Sequence, residues 1–158
     1  MSGEKLGVLL VQLGGPESRE ELKPFLYELF VDPEILGIPF APLRKLAAWT
    51  IATLRVPKSA EIYERIGWSP IRRWSEMQAR LLEEALALRT EAGAPAPAVR
   101  VGMTCSAPTV ETALGELRNA GATRLLVLPL YPQYSVTTTR GSLTRVSRAL
   151  AASGWAPK

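Results

Sequence analysis

The sequence predicts an α/β layered fold around a parallel sheet, and three observations carry that prediction. Short apolar runs at Leu6–Leu13, Val99–Met103 and Leu125–Leu130 alternate with longer stretches of helical periodicity. In the first and last runs the apolar residues are nearly continuous rather than alternate, as in strands covered on both faces. Each run then ends in a loop rich in glycine, hydroxyl or aromatic residues, and right-handed crossovers bring such loops to one edge of a parallel sheet.

In chain order, Leu6–Leu13 reads as a first buried strand closed by the turn Gly14-Gly15-Pro16. Ser18 and Glu21 form a capping-box pattern ahead of Leu22, Phe25, Leu26, Leu29 and Phe30 at helical spacing, with Pro24 either kinking that helix or marking its first turn near Lys23. Residues 33–57 are broken by prolines, leaving a helix over Leu43–Leu54 and the look of a lid or insertion. A short amphipathic piece at Glu61–Arg65 and the turn Gly67-Trp68-Ser69-Pro70 come next. Ser75 with Gln78 then predicts a helix start, with Met77, Leu81, Leu82, Ala85 and Leu88 as its apolar stripe and Gly93 as its stop. After the second strand, a helix over Pro108–Ala120 turns Val110, Ala113, Leu114 and Leu117 inward and ends at Gly121. The final helix follows the third strand and its hydroxyl-rich loop, with Leu143, Val146 and Leu150 inward and Arg145 and Arg148 outward.

Composition narrows the function. At 158 residues the chain fits one domain, residues 1–158, and 47% hydrophobic with 22% charged residues is the balance of a soluble globular protein. The absence of a long apolar run and of a signal-peptide pattern around Glu4 and Lys5 leads to an expectation of a cytoplasmic protein without a transmembrane segment. The single cysteine, Cys105, allows no internal disulfide and reads as a small buried hydrophobe. With no histidine in the chain, imidazole can serve neither as base nor as metal ligand, which argues against a triad hydrolase, and the lone cysteine offers no thiolate-rich metal site. A net charge of +4, spread along the chain, favours an anionic small ligand over nucleic acid.

Three loop clusters carry candidate chemistry. Gln12–Pro16 could bring backbone close to a ligand, or simply turn the chain. Tyr131, Tyr134, Ser135 and Thr137–Thr139 offer flat rings and hydroxyls, or a capped helix start. Arg55, Lys58, Tyr63, Arg65, Ser69, Arg72 and Arg73 offer cations for carboxylates, or a solvated helix end.

Taken in order, LLVQLGGPES (Leu9–Ser18), PFLYELFVDPEILGIP (Pro24–Pro39), the segment Arg55–Ile71 and LPLYPQYSVTTTRGSL (Leu128–Leu143) resemble the amino-terminal half of the ferrochelatase family. The resemblance implies a Rossmann-like three-layer half of a class II chelatase fold, with a parallel sheet of about four strands flanked by helices. It also implies insertion of ferrous iron into a porphyrin, protoporphyrin IX or coproporphyrin III, in haem biosynthesis, a lyase reaction needing no cofactor in this chain. Carried over residue by residue, Arg55, Tyr63 and Ser69 match porphyrin-contacting positions, Leu36 falls in the pocket lip, and Tyr134, Ser135 and Thr138 lie beside the ring. No catalytic residue falls in this chain, because the family's His-Ser-x-Pro histidine and partner glutamate belong to the carboxyl-terminal half. The implied partners are the porphyrin and that half or a second subunit, with peripheral contact to a membrane surface left open. Thr104-Cys105-Ser106-Ala107-Pro108 stands where the family places Arg-Tyr-x-His-Pro, and the turn holding Trp68 is one residue short. A non-catalytic porphyrin- or haem-binding module and a half-size homodimeric chelatase are the alternative readings.

Overall fold

The structure, a computed structural model, describes residues 4–158. Its strands are β1 (Leu6–Gln12), β2 (Ala98–Met103) and β3 (Arg124–Pro129). Its helices are α1 (Arg19–Val31), α2 (Ala41–Arg65), α3 (Ile71–Leu88), α4 (Val110–Asn119) and α5 (Gly141–Ser153). The strands form one parallel sheet in the order β2-β1-β3, with Val8 opposite both Val99 and Leu126. As the central strand, β1 buries residues on both faces, which accounts for its unbroken apolar run.

Leu9 and Val11 face α4 and α5, packing with Val110, Ala113, Leu114, Leu117, Val146 and Ala149. Val8 and Leu10 face α3, packing with Val99, Val101, Ala79 and, less deeply, Leu82 and Leu86. A Cβ at Gly102 would come within 2.9 Å of Val110 Cα, so a glycine there lets α4 lie directly on β2. The predicted inner face of α4 is borne out at all four positions, and Thr109 caps the helix by accepting from the Thr112 amide.

The expected count of about four strands becomes three among the described residues. On the outer edge of β3 there is one rung only: the Lys158 amide donates to the Thr123 carbonyl and the Leu125 amide to the Lys158 carbonyl, each at 3.0 Å. The expectation that this strand is covered on both faces also fails. Leu126 and Leu128 are 51% and 42% exposed, because α3 lies over β2 and β1 and stops short of the β3 face.

Several local expectations need correction. Helix α1 starts at Arg19, with Ser18 Oγ accepting from the Glu21 amide and Glu21 accepting from the Glu17 amide rather than closing the box on Ser18. Pro24 sits exposed within it, where it forfeits one intrahelical bond on the solvent side. The helix expected at Leu43–Leu54 and the separate piece at Glu61–Arg65 are one helix, α2, running through exposed Pro57. That helix is no free insertion: buried Ala48, Ala52 and Ala60 let it lie close against α1.

Helix α3 begins at Ile71, so Ser75 is buried in its second turn instead of capping it. Small Ser75 and Ala79 face the sheet with Leu82 and Leu86, while Leu81 and Leu88 of the expected stripe point to solvent. The helix ends at Leu88, and Gly93 serves a later turn at φ 87°. In α5 the buried residues are Ser142, Val146 and Ala149, and Arg145 turns inward, contrary to expectation.

Candidate functional site

Parallel pairing sends the chain out of all three strands at the same edge, and hydrogen bonds tie the three exits together. The Thr104 and Cys105 amides donate to the Gln12 and Leu13 carbonyls at 3.0 and 2.9 Å, and the Leu130 amide donates to the Val11 carbonyl at 2.8 Å. The Gln12 side-chain amide reaches the Leu130 carbonyl at 3.3 Å. Gly14 then turns at φ 90°, a conformation glycine adopts without penalty, and Gly15 meets the segment leading into α3. The Ser69 amide donates to the Pro16 carbonyl at 3.0 Å, and a Cβ on Gly15 would sit 2.7 Å from Ser69 Cβ. The absence of a side chain at Gly15 is therefore what lets Ser69 dock at the end of β1.

Docking of Ser69 fixes the aromatic wall beside it. The Trp68 amide donates to the Tyr63 carbonyl at 2.8 Å, and Trp68 turns back at φ 69°. That turn lays its ring against Tyr63, with centroids 6.1 Å apart and planes 6° from parallel. Tyr63 and Trp68 join Leu13, Phe30 and Val56 around the buried centre formed by Leu22, Phe25, Leu26, Ala52 and Ala60. Exposed Arg55 holds its guanidinium 5.4 Å from the centroid of the Phe30 ring. Arg55, Tyr63 and Ser69 are thus brought to one wall, its cation at one end and its serine hydroxyl at the other.

The other predicted residues lie across the same edge. Tyr134 is 68% exposed, Ser135 Oγ is 3.0 Å from Thr137 Oγ1, and half-buried Thr138 lies in a single π-helical turn, Val136–Arg140, leading into α5. Leu36 is half-buried in the connection 32–40 between α1 and α2, which Asp32 organises by accepting from the Glu34 amide at 2.8 Å. Arg140 pairs with Glu34 at 2.5 Å, joining this rim to the Tyr134 turn. Among the described residues no hydrogen bond links the Tyr134 turn to the wall of Arg55, Tyr63 and Ser69.

Behind the rim lies a cavity of about 320 Å³, lined by Glu28, Asp32, Glu34, Glu111, Arg44 and Arg145 among others, and by none of the seven. Sequence reasoning missed its main organiser. From α5, Arg145 donates to the Thr104 carbonyl and pairs with Glu28 of α1 and Glu111 of α4 at 3.3 and 3.2 Å. Partial burial acts against ionisation at both Arg145 and Glu111. The mutual pair outweighs it, raising the arginine and, with the helix-start backbone bonds, lowering the glutamate. Only spatial proximity across 34 to 117 residues reveals this staple.

Burial disfavours ionisation of the thiol and of two tyrosines at this edge. Burial pushes Cys105 up to about 11 and raises Tyr63 and Tyr131, whose hydroxyl lies 2.8 Å from Ser142 Oγ. The expectation of a buried cysteine is borne out. Among the described residues no group of three or more histidine, cysteine or carboxylate side chains could hold a metal ion, and no helix is long and apolar enough to cross a membrane.

Comparison with known proteins completes the picture. The ferrochelatase family model matches residues 5–158. A ferrochelatase of Gloeobacter violaceus is 48% identical over 139 residues, covering 87% of this chain and 41% of the relative. One from Synechococcus sp. (strain JA-3-3Ab) is 46% identical over 145 residues, 91% of this chain and 41% of the relative. A chloroplastic ferrochelatase-2 of Cucumis sativus is 46% identical over 143 residues, 89% of this chain and 27% of the relative. The chain therefore spans less than half the length of these curated relatives. With an α/β fold whose strand exits gather hydroxyl, aromatic and cationic groups, and with a family match running almost from end to end, the chain belongs to the ferrochelatase family.

Proposed function

We propose that this chain supplies the porphyrin-gripping wall of a ferrochelatase, the partner of a second wall on polypeptide beyond these 158 residues. The single observation that carries the reading is the Tyr63–Trp68–Ser69 wall seated on Gly15 at the end of the central strand, in a chain of this family. Stacked aromatic surface suits the face of a macrocycle, and Arg55 at one end suits a propionate. Leu36, Tyr134, Ser135 and Thr138 would border the same ligand from the rim and the third strand exit.

Metal insertion exchanges two pyrrole N–H protons for one Fe²⁺, so two protons must leave for each iron that enters. Within this chain burial disfavours ionisation of Tyr63, Tyr131 and Cys105, and there is no histidine. By the family resemblance, the proton acceptor comes from the half outside these residues, and iron and porphyrin are both substrates here. The same reading gives residues 1–158 as one domain matching the amino-terminal half, with no cofactor of its own, in haem biosynthesis. A cytoplasmic setting fits the one unpaired, buried cysteine. The exposed Phe40, Leu43, Leu46 and Trp49 beside the rim suit peripheral membrane contact.

The expected result of an iron-insertion assay is binding of protoporphyrin IX by the chain without turnover. Activity would return on adding a polypeptide that carries the complementary half of a relative. Turnover by the chain alone would favour the half-size homodimer, and binding with no recovery on complementation would favour a non-catalytic binding module.

A further inference from the structure

The connection 32–40 carries Leu36 and delivers the chain to the start of α2, yet its internal bonding is slight. Three backbone bonds close it locally, from the Ile35 and Leu36 amides to the Asp32 carbonyl and from the Ile38 amide to the Leu36 carbonyl. Besides the Arg140–Glu34 pair, its backbone is held against the body of the protein by one side chain. Arg44, in the first turn of α2, donates from Nε to the Val31 carbonyl at 3.0 Å and from Nη1 to the Ile38 carbonyl at 2.6 Å. Val31 is the last residue of α1, whose final turn has no basic residue of its own. Arg44 therefore brings a cation to the negative end of that helix from the next one and satisfies a carbonyl left over at its terminus. The same planar fork fixes both ends of the connection at once, which a single-point ammonium does less well.

We propose that Arg44 is the positioning residue of the rim, fixing residues 32–40 so that Leu36 is preset at the mouth of the crevice before a porphyrin arrives. The proposal rests on the porphyrin reading for its ligand, whereas the fork itself is independent of it. The Arg140–Glu34 pair reaches the same connection from the opposite side, but as a surface ion pair, half-exposed at the arginine, it contributes little alone. Arg44 binds backbone, so its effect falls on the path of the chain rather than on one side chain.

The test compares the 158-residue chain with R44K and R44A, using protoporphyrin IX as probe and reading both Soret titration and amide hydrogen exchange. In R44A, exchange at Ile35, Leu36 and Ile38 should speed up by about tenfold or more while α4 amides keep their protection, and porphyrin Kd should rise about tenfold. R44K, which keeps the charge and loses the fork, should fall between the two on both readouts. Unchanged exchange in R44A would overturn the proposal. So would R44K matching wild type in Kd while R44A does not, since that would make Arg44 a direct carboxylate contact. If wild type binds no porphyrin, the functional reading fails by itself and exchange alone decides whether the fork holds the rim.

Discussion

Replacing Gly15 with alanine should cost about 1–3 kcal/mol of stability and weaken porphyrin binding about tenfold or more. The added methyl would overlap Ser69 Oγ and lie 2.7 Å from Ser69 Cβ, with Ile71 Cγ2 at 3.5 Å behind it. Gly15 is itself buried, so the strain cannot be relieved by swinging toward solvent. The Ser69 segment must retreat instead, carrying with it the turn that holds Trp68 on Tyr63 and the 3.0 Å bond from the Ser69 amide to the Pro16 carbonyl. A second substitution separates space from chemistry. S69G removes both overlapping atoms, so the G15A/S69G double variant should recover most of the stability in urea melts while lacking the hydroxyl. If G15A is neutral, or the double variant is no more stable than G15A, the close approach is not what seats the aromatic wall.

Arg145→Ala should be the most destabilising change of a charged residue, at about 2–3 kcal/mol near neutral pH. The side chain joins α5 to α1, α4 and the exit of β2, and its loss removes the ion-pair partner of both Glu28 and Glu111. That range is already discounted for the solvent that reaches the pair. The pH dependence carries a definite sign. Glu111 has a folded value below its ordinary 4.5, so its contribution is present above that value and is lost as pH falls through the lowered one. Wild type should therefore lose stability on acidification below about 4.5, and R145A should lose less over the same interval, narrowing the gap between them. A constant gap from pH 7 down to pH 3 would show that the arginine acts by packing alone.

The part of the fold legible in sequence is the part decided by local pattern. β1 and α4 are legible because continuous apolar residues in the strand, and an apolar stripe closed by a terminal glycine in the helix, point the same way as their packing. The face of α3 was misjudged because its contact with the sheet is made by Ser75 and Ala79. Apolarity alone favoured Leu81 and Leu88, whereas close approach favours small side chains. Pro57 reads as a break in sequence, yet α2 runs through it because the missing bond and the ring fall on its exposed side, a fact only tertiary packing supplies.

The site was legible in the same uneven way. The residues themselves suggested that three strand exits converge, and the family resemblance singled out Arg55, Tyr63 and Ser69. Neither could show that Gly15 seats Ser69, that Trp68 folds back on Tyr63, or that Arg44 and Arg145 hold the surrounding segments. The Gly15 and Arg145 contacts join groups far apart in sequence, whereas the Trp68 and Arg44 contacts are closer in sequence but depend on a left-handed turn and a backbone path that periodicity does not encode.

The most direct measurement of the central claim is a protoporphyrin IX titration of the chain followed by hydrogen exchange of the complex. Saturable binding should come with added protection at residues 63–69 and 131–138 and at the rim 32–40, leaving the far end of the sheet around Lys5 and Thr123 unchanged, and Y63A should abolish most of it. Absence of saturable binding, or protection confined to the opposite edge of the sheet, would contradict it.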